Sequence, residues 1–452
     1  MSAQGEPSNA VIDRALETAR EAGASDADAV FVEWGSSAAQ VRLGEVETVK
    51  MSRERRLGIR CFSGQASAMA STADLAGDAI ENFVRDVVEM STIVAADPEA
   101  GLPPTEALAT DTPELGLADD AGDGISPDDR IGLATRCEKA ALDADPRLTN
   151  SEGAEFSHSS SRVAYGSSGG FRGSYRTTGY GISVAPVATD GEEMQRDSWY
   201  DSSRAYADLA DPESVGNIAA QRTLRRLNAR KVPTQSLPVV FDPISAASLM
   251  RHLASAVCGG ALYHRASFLL DKLGEEIASS NINVVDDGRL PGGLASRPFD
   301  GEGLATRRNV VVENGRLTSY LLDSYSARKL GMTSTGNASR SAGDAPGASP
   351  TNFYLAAGES TPEEIVGSVK SGLYVTSLSG FGVNGVTGDY SRGAGGLWIE
   401  NGELTHAVEE VTIAGNLLEM FHNIQMLGND LEFRAGVCAP TLLIEKMTLA
   451  GS

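Results

Sequence analysis

Cysteine is scarce in this chain of 452 residues, which has four: Cys61, Cys137, Cys258 and Cys438. No two of them stand in the CxxC spacing of a zinc ribbon, and a disulfide framework needs a denser pattern. Free cysteines are among the residues most often buried. We therefore expect four packed, reduced thiols, and the scarcity argues against a small protein held together by disulfides or by structural zinc.

Long apolar runs are also lacking. No window approaches the roughly 18 to 20 uninterrupted apolar residues that cross a bilayer. Segment 1–9 has neither the basic start nor the apolar centre of a secretory signal. We expect a soluble, cytoplasmic protein without membrane contact. Its 41% hydrophobic content is ample for a large core, and its length suggests more than one domain.

Positive charge is outweighed by negative charge, with 38 Lys and Arg against 61 Asp and Glu and a formal net charge of -23. Such a chain repels polyphosphate, so we expect no direct binding of DNA or RNA. The two basic stretches, 53–56 and 222–231, lie beside acidic residues or within a helical pattern and look like ordinary surface charge.

Catalytic constellations are missing too. A local zinc site on a helix needs two histidines about one turn apart and a nearby carboxylate. The five histidines, at 158, 252, 264, 406 and 422, contain no such pair. A site assembled from distant residues would draw on His252, His264 and Cys438. No GxSxG or SxxK stands in a context for acyl transfer, and there is no GxxxxGK[ST] phosphate-binding motif.

Adjacent acidic residues offer little acid/base chemistry, because neighbours on a strand point to opposite faces. Such pairs occur at Asp286-Asp287 and at Glu409-Glu410. The first precedes Gly288 and is most simply explained as a turn, with a substrate contact as the alternative.

What is present is a mixture of helical and strand periodicity, which predicts an α+β fold with mainly antiparallel sheets. Segments 9–22, 76–94 and 212–228 have helical spacing, and Ser126 followed by Asp128 and Asp129 predicts the capped start of another helix. Short strands are predicted at 29–34, 39–43, 46–51 and 57–62, and several more over 148–200. The segment 231–237 has proline and no periodicity, so we predict two α+β domains, 1–230 and 238–452.

Two Asn-Gly pairs predict hairpins in the second half, because Asn-Gly supplies the positive φ angles of a tight type I′ turn. They lie in segments 312–318 and 399–405, and helix-like sequence follows at 324–330 and 414–426. The two units either record an old duplication or arose by coincidence.

A recognisable order of segments begins at the apolar strand 238–241, which leads into a helix, ISAASLMRHLASAV, that carries His252. The further segments are VEM at 88–90 with DP at 97–98, RPFDGEG at 297–303, LDSYSARK at 322–329, TSTGNA at 333–338, GDYSRG at 388–393 and VEEVTIAGNL at 408–417. Together they resemble the TldD/PmbA family, and within it the PmbA branch, also called TldE, over nearly the whole chain.

The resemblance implies a degenerate metal site. Peptidases of the family carry HExxxH on the equivalent helix, and here Leu253 stands at the glutamate position and Val257 at that of the second histidine. His252 keeps the first position. Cys438 matches a cysteine that serves the family as a third ligand. We therefore expect no catalytic residue, no metal ligand and no cofactor site in this chain, with zinc on a TldD-type partner.

The function that follows is a non-catalytic subunit of a cytoplasmic TldD-type metallopeptidase, supplying peptide-binding surface and chamber wall for the proteolysis of peptides or unfolded segments. The partner would be a TldD-type chain or, in a homodimer, a second copy. Two alternatives remain open: an autonomous metallohydrolase with atypical ligands, and a non-enzymatic peptide-binding scaffold. An older family label, modulator of DNA gyrase, is interpreted as an indirect effect of proteolysis.

Overall fold

The first half of the chain is built on one antiparallel sheet. The computed structural model describes residues 8–451, so most of segment 1–9, where no secretory signal was predicted, lies outside the described residues. The elements of this half are α1 (Ser8–Glu21), β1 (Asp26–Arg42), β2 (Glu45–Ser63), β3 (Ala66–Thr72), α2 (Gly77–Ile93), α3 (Pro127–Asp143), β4 (Leu148–Ser167), β5 (Arg172–Asp190), β6 (Glu193–Arg196), β7 (Trp199–Ser203) and α4 (Pro212–Leu224).

The sheet has the strand order β3-β2-β1-β4-β5-β6, with β7 also paired to β5. Alternate residues of β1 share one face of the sheet. At one end of that face Ala27, Ala29 and Phe31 pack under α1 and α2, and at the other end Val41 packs under α3 and α4. The middle of the face, around Gly35, lies between the two helix pairs.

The short strands predicted between 29 and 62 are wrong in number. The structure has two long strands there, because Gly35, Ser36 and Ser37 pair with residues 53, 52 and 51 and stay in the ladder. The turn between the strands is instead made by Leu43 and Gly44, both at positive φ. The small residues 35–37, which suggested a turn in the sequence, therefore belong to a continuous strand.

The second half contains shorter elements and more loops. They are β8 (Gln235–Phe241), α5 (Pro243–Val257), α6 (Gly259–Tyr263), β9 (Val284–Asp287), β10 (Arg308–Glu313), β11 (Arg316–Leu317), α7 (Ser324–Lys329), β12 (Ala338–Ser339), β13 (Gly347–Ala348), β14 (Asn352–Leu355), α8 (Pro362–Gly367), β15 (Ser371–Ser379), β16 (Asp389–Glu400), β17 (Glu403–Asn416), α9 (Leu417–His422), β18 (Ile424–Leu427), β19 (Val437–Cys438) and β20 (Leu442–Ala450).

Five strands of this half pair in a closed ring. The sheet order is β17-β16-β15-β8-β20-β18, and β17 also pairs with β20. Most pairings are antiparallel, while β8 with β15 and β14 with β19 are parallel. The predicted α+β class with mainly antiparallel sheets is confirmed. Helix α5 packs its apolar face against the strands β8 and β15, within the largest core of the protein.

Both Asn-Gly hairpins are confirmed. Asn314 and Gly315 have φ of 49° and 78°, and Asn401 and Gly402 have φ of 51° and 84°, as a type I′ turn requires. The helix predicted over 414–426 is wrong in extent. Strand β17 continues to Asn416, whose side chain caps α9, and β18 begins only two residues after that helix ends.

The two halves meet through buried polar and aromatic contacts. Phe299 packs edge-on against Phe171 and Tyr175, with ring centroids 5.0 and 5.2 Å apart. Asp28 accepts hydrogen bonds from Arg340 in the second half and Arg60 in the first. The RPFDGEG segment of the family resemblance is thus part of the junction between the halves. The domain division at 231–237 remains a prediction.

None of the helices within residues 8–451 has both the length and the apolar character needed to span a membrane.

Glu302 in this junction should make stability fall as pH rises. Burial, with the neighbouring Asp300 carboxylate, raises the pKa of Glu302 from 4.5 to about 7. The folded chain then holds a proton that the unfolded chain has lost between those two values, so the free energy of unfolding decreases across that window. The expected decrease is up to about 3 kcal/mol.

Glu302→Gln should abolish this decrease, because the amide does not titrate. Denaturant unfolding of both proteins at pH 5 and 7.5 measures the difference, and Glu403→Gln, at an exposed glutamate, is the control. A difference between Glu302→Gln and the natural chain that stays constant with pH would contradict the assignment.

Candidate functional site

Helix α5 places His252 at the edge of a cavity. Asp242 caps the start of the helix, because its carboxylate accepts a hydrogen bond of 2.8 Å from the backbone N–H of Ser245. Pro243 occupies the first helical position. Its apolar residues face the core. His252 lies on the opposite side, where its side chain is half-buried.

The cavity has a volume of about 330 Å³ and mainly apolar walls. Ala256 of α5, Phe268, Val383 and Leu417 line it, and the fully exposed Phe381 stands at its margin. The polar side chains in the lining are those of His252, Ser255 and Arg392. Within the described part of the chain the lining includes neither carboxylate nor thiol.

One ring nitrogen of His252 makes no hydrogen bond within the described residues. Its Nε2 is buried and has no hydrogen-bond partner among residues 8–451, and the same is true of the Tyr390 hydroxyl. The two rings meet edge to face with centroids 6.2 Å apart. Burial lowers the pKa of His252, and the guanidinium groups of Arg392 and Arg251 lower it further. The imidazole is therefore neutral at pH 7.

Leu253 and Val257 do not line this cavity. They are 2% and 0% exposed and belong to the core between α5 and the ring of strands. A glutamate or histidine at these positions would be surrounded by apolar side chains, which disfavours the charged forms strongly. The neighbourhood of these two positions is that of a packed core.

The other two residues considered as ligands lie elsewhere. His264 is exposed at the end of α6, with its ring 4.1 Å from that of Tyr263. Cys438 is buried in β19, and its Sγ donates a hydrogen bond to the Ala435 carbonyl at 3.1 Å. Burial raises the pKa of Cys438, so it is a protonated thiol at neutral pH, whereas a metal ligand must be a thiolate.

The structure does not bring His252, His264 and Cys438 together. Over residues 8–451 it contains no group of three or more His, Cys, Asp or Glu arranged to hold a metal ion. The residues present around His252 therefore do not fit a catalytic zinc, which needs three protein ligands and an open position.

The acidic pair before Gly288 has two different roles. Asp287 accepts a hydrogen bond from the backbone N–H of Arg289, as expected of a turn. The turn interpretation is wrong for Asp286, which lies in β9, fully buried, and accepts hydrogen bonds from the Asn337 amide and the Thr351 backbone. The Asp286 carboxylate therefore holds neighbouring segments of the fold together.

Tyr390 and Arg392 escaped sequence reasoning as parts of the site. Both lie in β16, two residues apart and so on one face, within the GDYSRG segment that carried the family resemblance. The signal was present in that motif. The motif alone does not show that strand pairing places residues 388–393 beside His252 of α5.

Family models and known proteins match almost the whole chain. Family models described as PmbA/TldA metallopeptidase domain 1, central domain and C-terminal domain match residues 27–91, 120–227 and 234–451. The chain is 40% identical to metalloprotease PmbA of Escherichia coli O157:H7 over 451 residues, covering 99% of this chain and 98% of the relative.

Solved structures agree with this similarity. A Bacteroides thetaiotaomicron protein described as a modulator of DNA gyrase superimposes with a TM-score of 0.91 at 27% identity, over 98% of this chain and 99% of that one. TldE from Thermococcus kodakarensis superimposes with a TM-score of 0.88 at 21% identity, over 98% of this chain and 100% of that one, which is a likeness of fold.

Proposed function

Because this chain belongs to the PmbA/TldD metallopeptidase family, we propose that it is a non-catalytic subunit of a two-chain peptidase. The observation that carries the proposal is the state of the HExxxH helix. His252 alone remains of the motif, while Leu253 and Val257 are packed in the core. Without a glutamate at this helix there is no group to deprotonate a metal-bound water.

The proposed partner is a TldD-type chain that carries the zinc. The resemblance of the chain's motifs to the PmbA branch, also called TldE, implies this pairing, and the chain has the fold of TldE from Thermococcus kodakarensis. A homodimer of this chain is the other assembly to be tested. We place the complex in the cytoplasm, in keeping with four buried cysteines that form no disulfide within residues 8–451.

The proposed contribution of this subunit is peptide binding at the His252 cavity. Its volume and apolar walls suit an apolar side chain, and the exposed Phe381 adds an apolar contact at the margin. The neutral His252 imidazole and the Ser255 hydroxyl, both in the lining, can hydrogen-bond main-chain groups of an extended peptide.

Replacing His252 by alanine separates this proposal from an autonomous hydrolase. In the mixed complex, we expect kcat for peptide cleavage to stay within about twofold of the natural value, because His252 would touch the peptide and not the reacting atoms. An essential acid, base or metal ligand would cost roughly a hundredfold or more. Initial rates with a fluorogenic peptide measure the difference.

Two further variants complete the comparison. His264→Ala and Cys438→Ser remove the other residues considered as ligands, and each should leave kcat of the mixed complex unchanged. Peptide cleavage by the lone chain that disappears with His252→Ala would overturn the proposal.

A further inference from the structure

A second cleft, unrelated to His252, lies on the sheet of the first half. It occupies the middle of the helix-covered face, in the gap between the pairs α1/α2 and α3/α4, and has a volume of about 470 Å³. Its floor is made by the four neighbouring strands β2, β1, β4 and β5, which contribute Arg53, Gly35, Ser160 and Arg176 in that order. Gly35 has no side chain, which leaves room above β1.

The cleft concentrates positive charge in an acidic protein. Four arginines line it, Arg53, Arg130, Arg162 and Arg176, against two carboxylates, Glu33 and Asp123. Arg162 and Arg176 are direct cross-strand neighbours on β4 and β5, an arrangement of like charges that is unfavourable without a counter-charge. Arg176 has Asp120 at 2.8 Å, but Arg162 has no ion pair among residues 8–451.

Arg130 is the strongest indication that the cleft binds an anion. Its side chain lines the cleft while the residue is only 8% exposed, and it forms no ion pair within the described part of the chain. Within residues 8–451 its one side-chain hydrogen bond is long, 3.5 Å, to the Gly122 carbonyl, and its buried Nε has no partner there. A buried charge is costly unless it is paired, so a counter-ion from outside the chain would stabilise this arrangement.

His158 lies beside Arg130 in the same wall. It is 7% exposed, its ring stacks on Tyr180 with centroids 4.9 Å apart, and its buried Nε2 also lacks a partner among the residues that the structure describes. The floor adds the hydroxyl groups of Ser37 and Ser160. Guanidinium, imidazole and hydroxyl donors converging on one concave space are what an oxyanion with several acceptor oxygens requires.

We propose that this cleft binds the phosphate group of a small molecule. Arg130 and Arg162 would supply the charge-assisted hydrogen bonds, and Ser37 and Ser160 would orient the group. The net charge of -23 does not prevent this, because charges more than about 10 Å away are largely screened at 0.1 M salt. This inference does not depend on the proposed peptidase role.

Calorimetric titration of the full chain with inorganic phosphate, in chloride buffer of matched ionic strength, tests the proposal. We expect saturable binding that Arg130→Ala and Arg162→Ala each weaken about tenfold or more. Arg162 is exposed, so its replacement leaves the fold intact even if Arg130→Ala does not fold. Arg85→Ala, at an exposed arginine of α2 outside the cleft, should bind phosphate as the natural chain does.

Two further arms identify the source of the phosphate. Glycerol phosphate should compete with inorganic phosphate at least equally well. Absence of phosphate binding, or binding unchanged in Arg162→Ala, would overturn the proposal. A phosphoserine peptide that binds more tightly than glycerol phosphate would overturn the assignment to a small molecule.

Discussion

Arg340→Ala is expected to lower the free energy of unfolding by about 3 to 5 kcal/mol, the cost of breaking a buried ion pair from one side. Arg340 Nη1 donates to the Asp28 carboxylate at 2.7 Å, and the two side chains are 1% and 0% exposed. Burial by itself would raise the pKa of Asp28, yet Arg340 and Arg60 outweigh it and hold that pKa below its ordinary value. Without Arg340, Asp28 keeps the ion pair with Arg60, which also lies 4.0 Å from Glu302, and a hydrogen bond of 3.2 Å from the Tyr165 hydroxyl.

The same substitution should loosen the junction of the two halves, because Asp28 lies in β1 and Arg340 comes from the second half. Urea unfolding followed by tryptophan fluorescence and by circular dichroism measures the loss. The matched control is Arg316→Ala, whose ion pair with Glu276 is exposed and should cost less than about 1 kcal/mol. An Arg340→Ala protein as stable as this control would show that the buried pair contributes little.

Local sequence signals predicted much of the fold. Ser126 and Asp129 form the expected cap of α3, in which each side chain accepts from the other residue's backbone N–H. The two Asn-Gly turns were likewise encoded in adjacent residues. The long strands were not, because glycine and serine are typical turn residues. Only the pairing of Gly35 and Ser36 with β2 shows that they lie within a strand.

The candidate sites depend on contacts between distant residues. His252 was found through a motif of consecutive residues, whereas Tyr390 and Arg392 reach it from β16 through strand pairing. In the sequence Arg53 looks like ordinary surface charge, and no local pattern gives Arg130 or Arg162 a role. Their convergence on one cleft needs the packing of α3 on the sheet, which no local pattern reveals.

Peptide cleavage is expected to appear only when this chain is mixed with a TldD-type chain. The difference should be all or none, because the proposed zinc and its base lie on the partner while this chain supplies surface. Mixing the two purified chains in increasing ratio and following cleavage of an unfolded protein measures the effect. The rate should saturate at a fixed ratio of the two chains, as it does when both belong to one complex.

A TldD-type chain whose HExxxH glutamate is replaced by glutamine is the control, and its mixture with this chain should be inactive. Residual cleavage in that mixture would assign activity to this chain.

The most direct test of the non-catalytic role is elemental analysis of the lone, full-length chain after incubation with zinc and desalting, with peptide cleavage followed on the same sample. Our account predicts far less than one zinc per chain and no cleavage, because His252 has neither a second histidine nor a glutamate beside it. One tightly held zinc per chain, together with cleavage that a chelator abolishes, would contradict it.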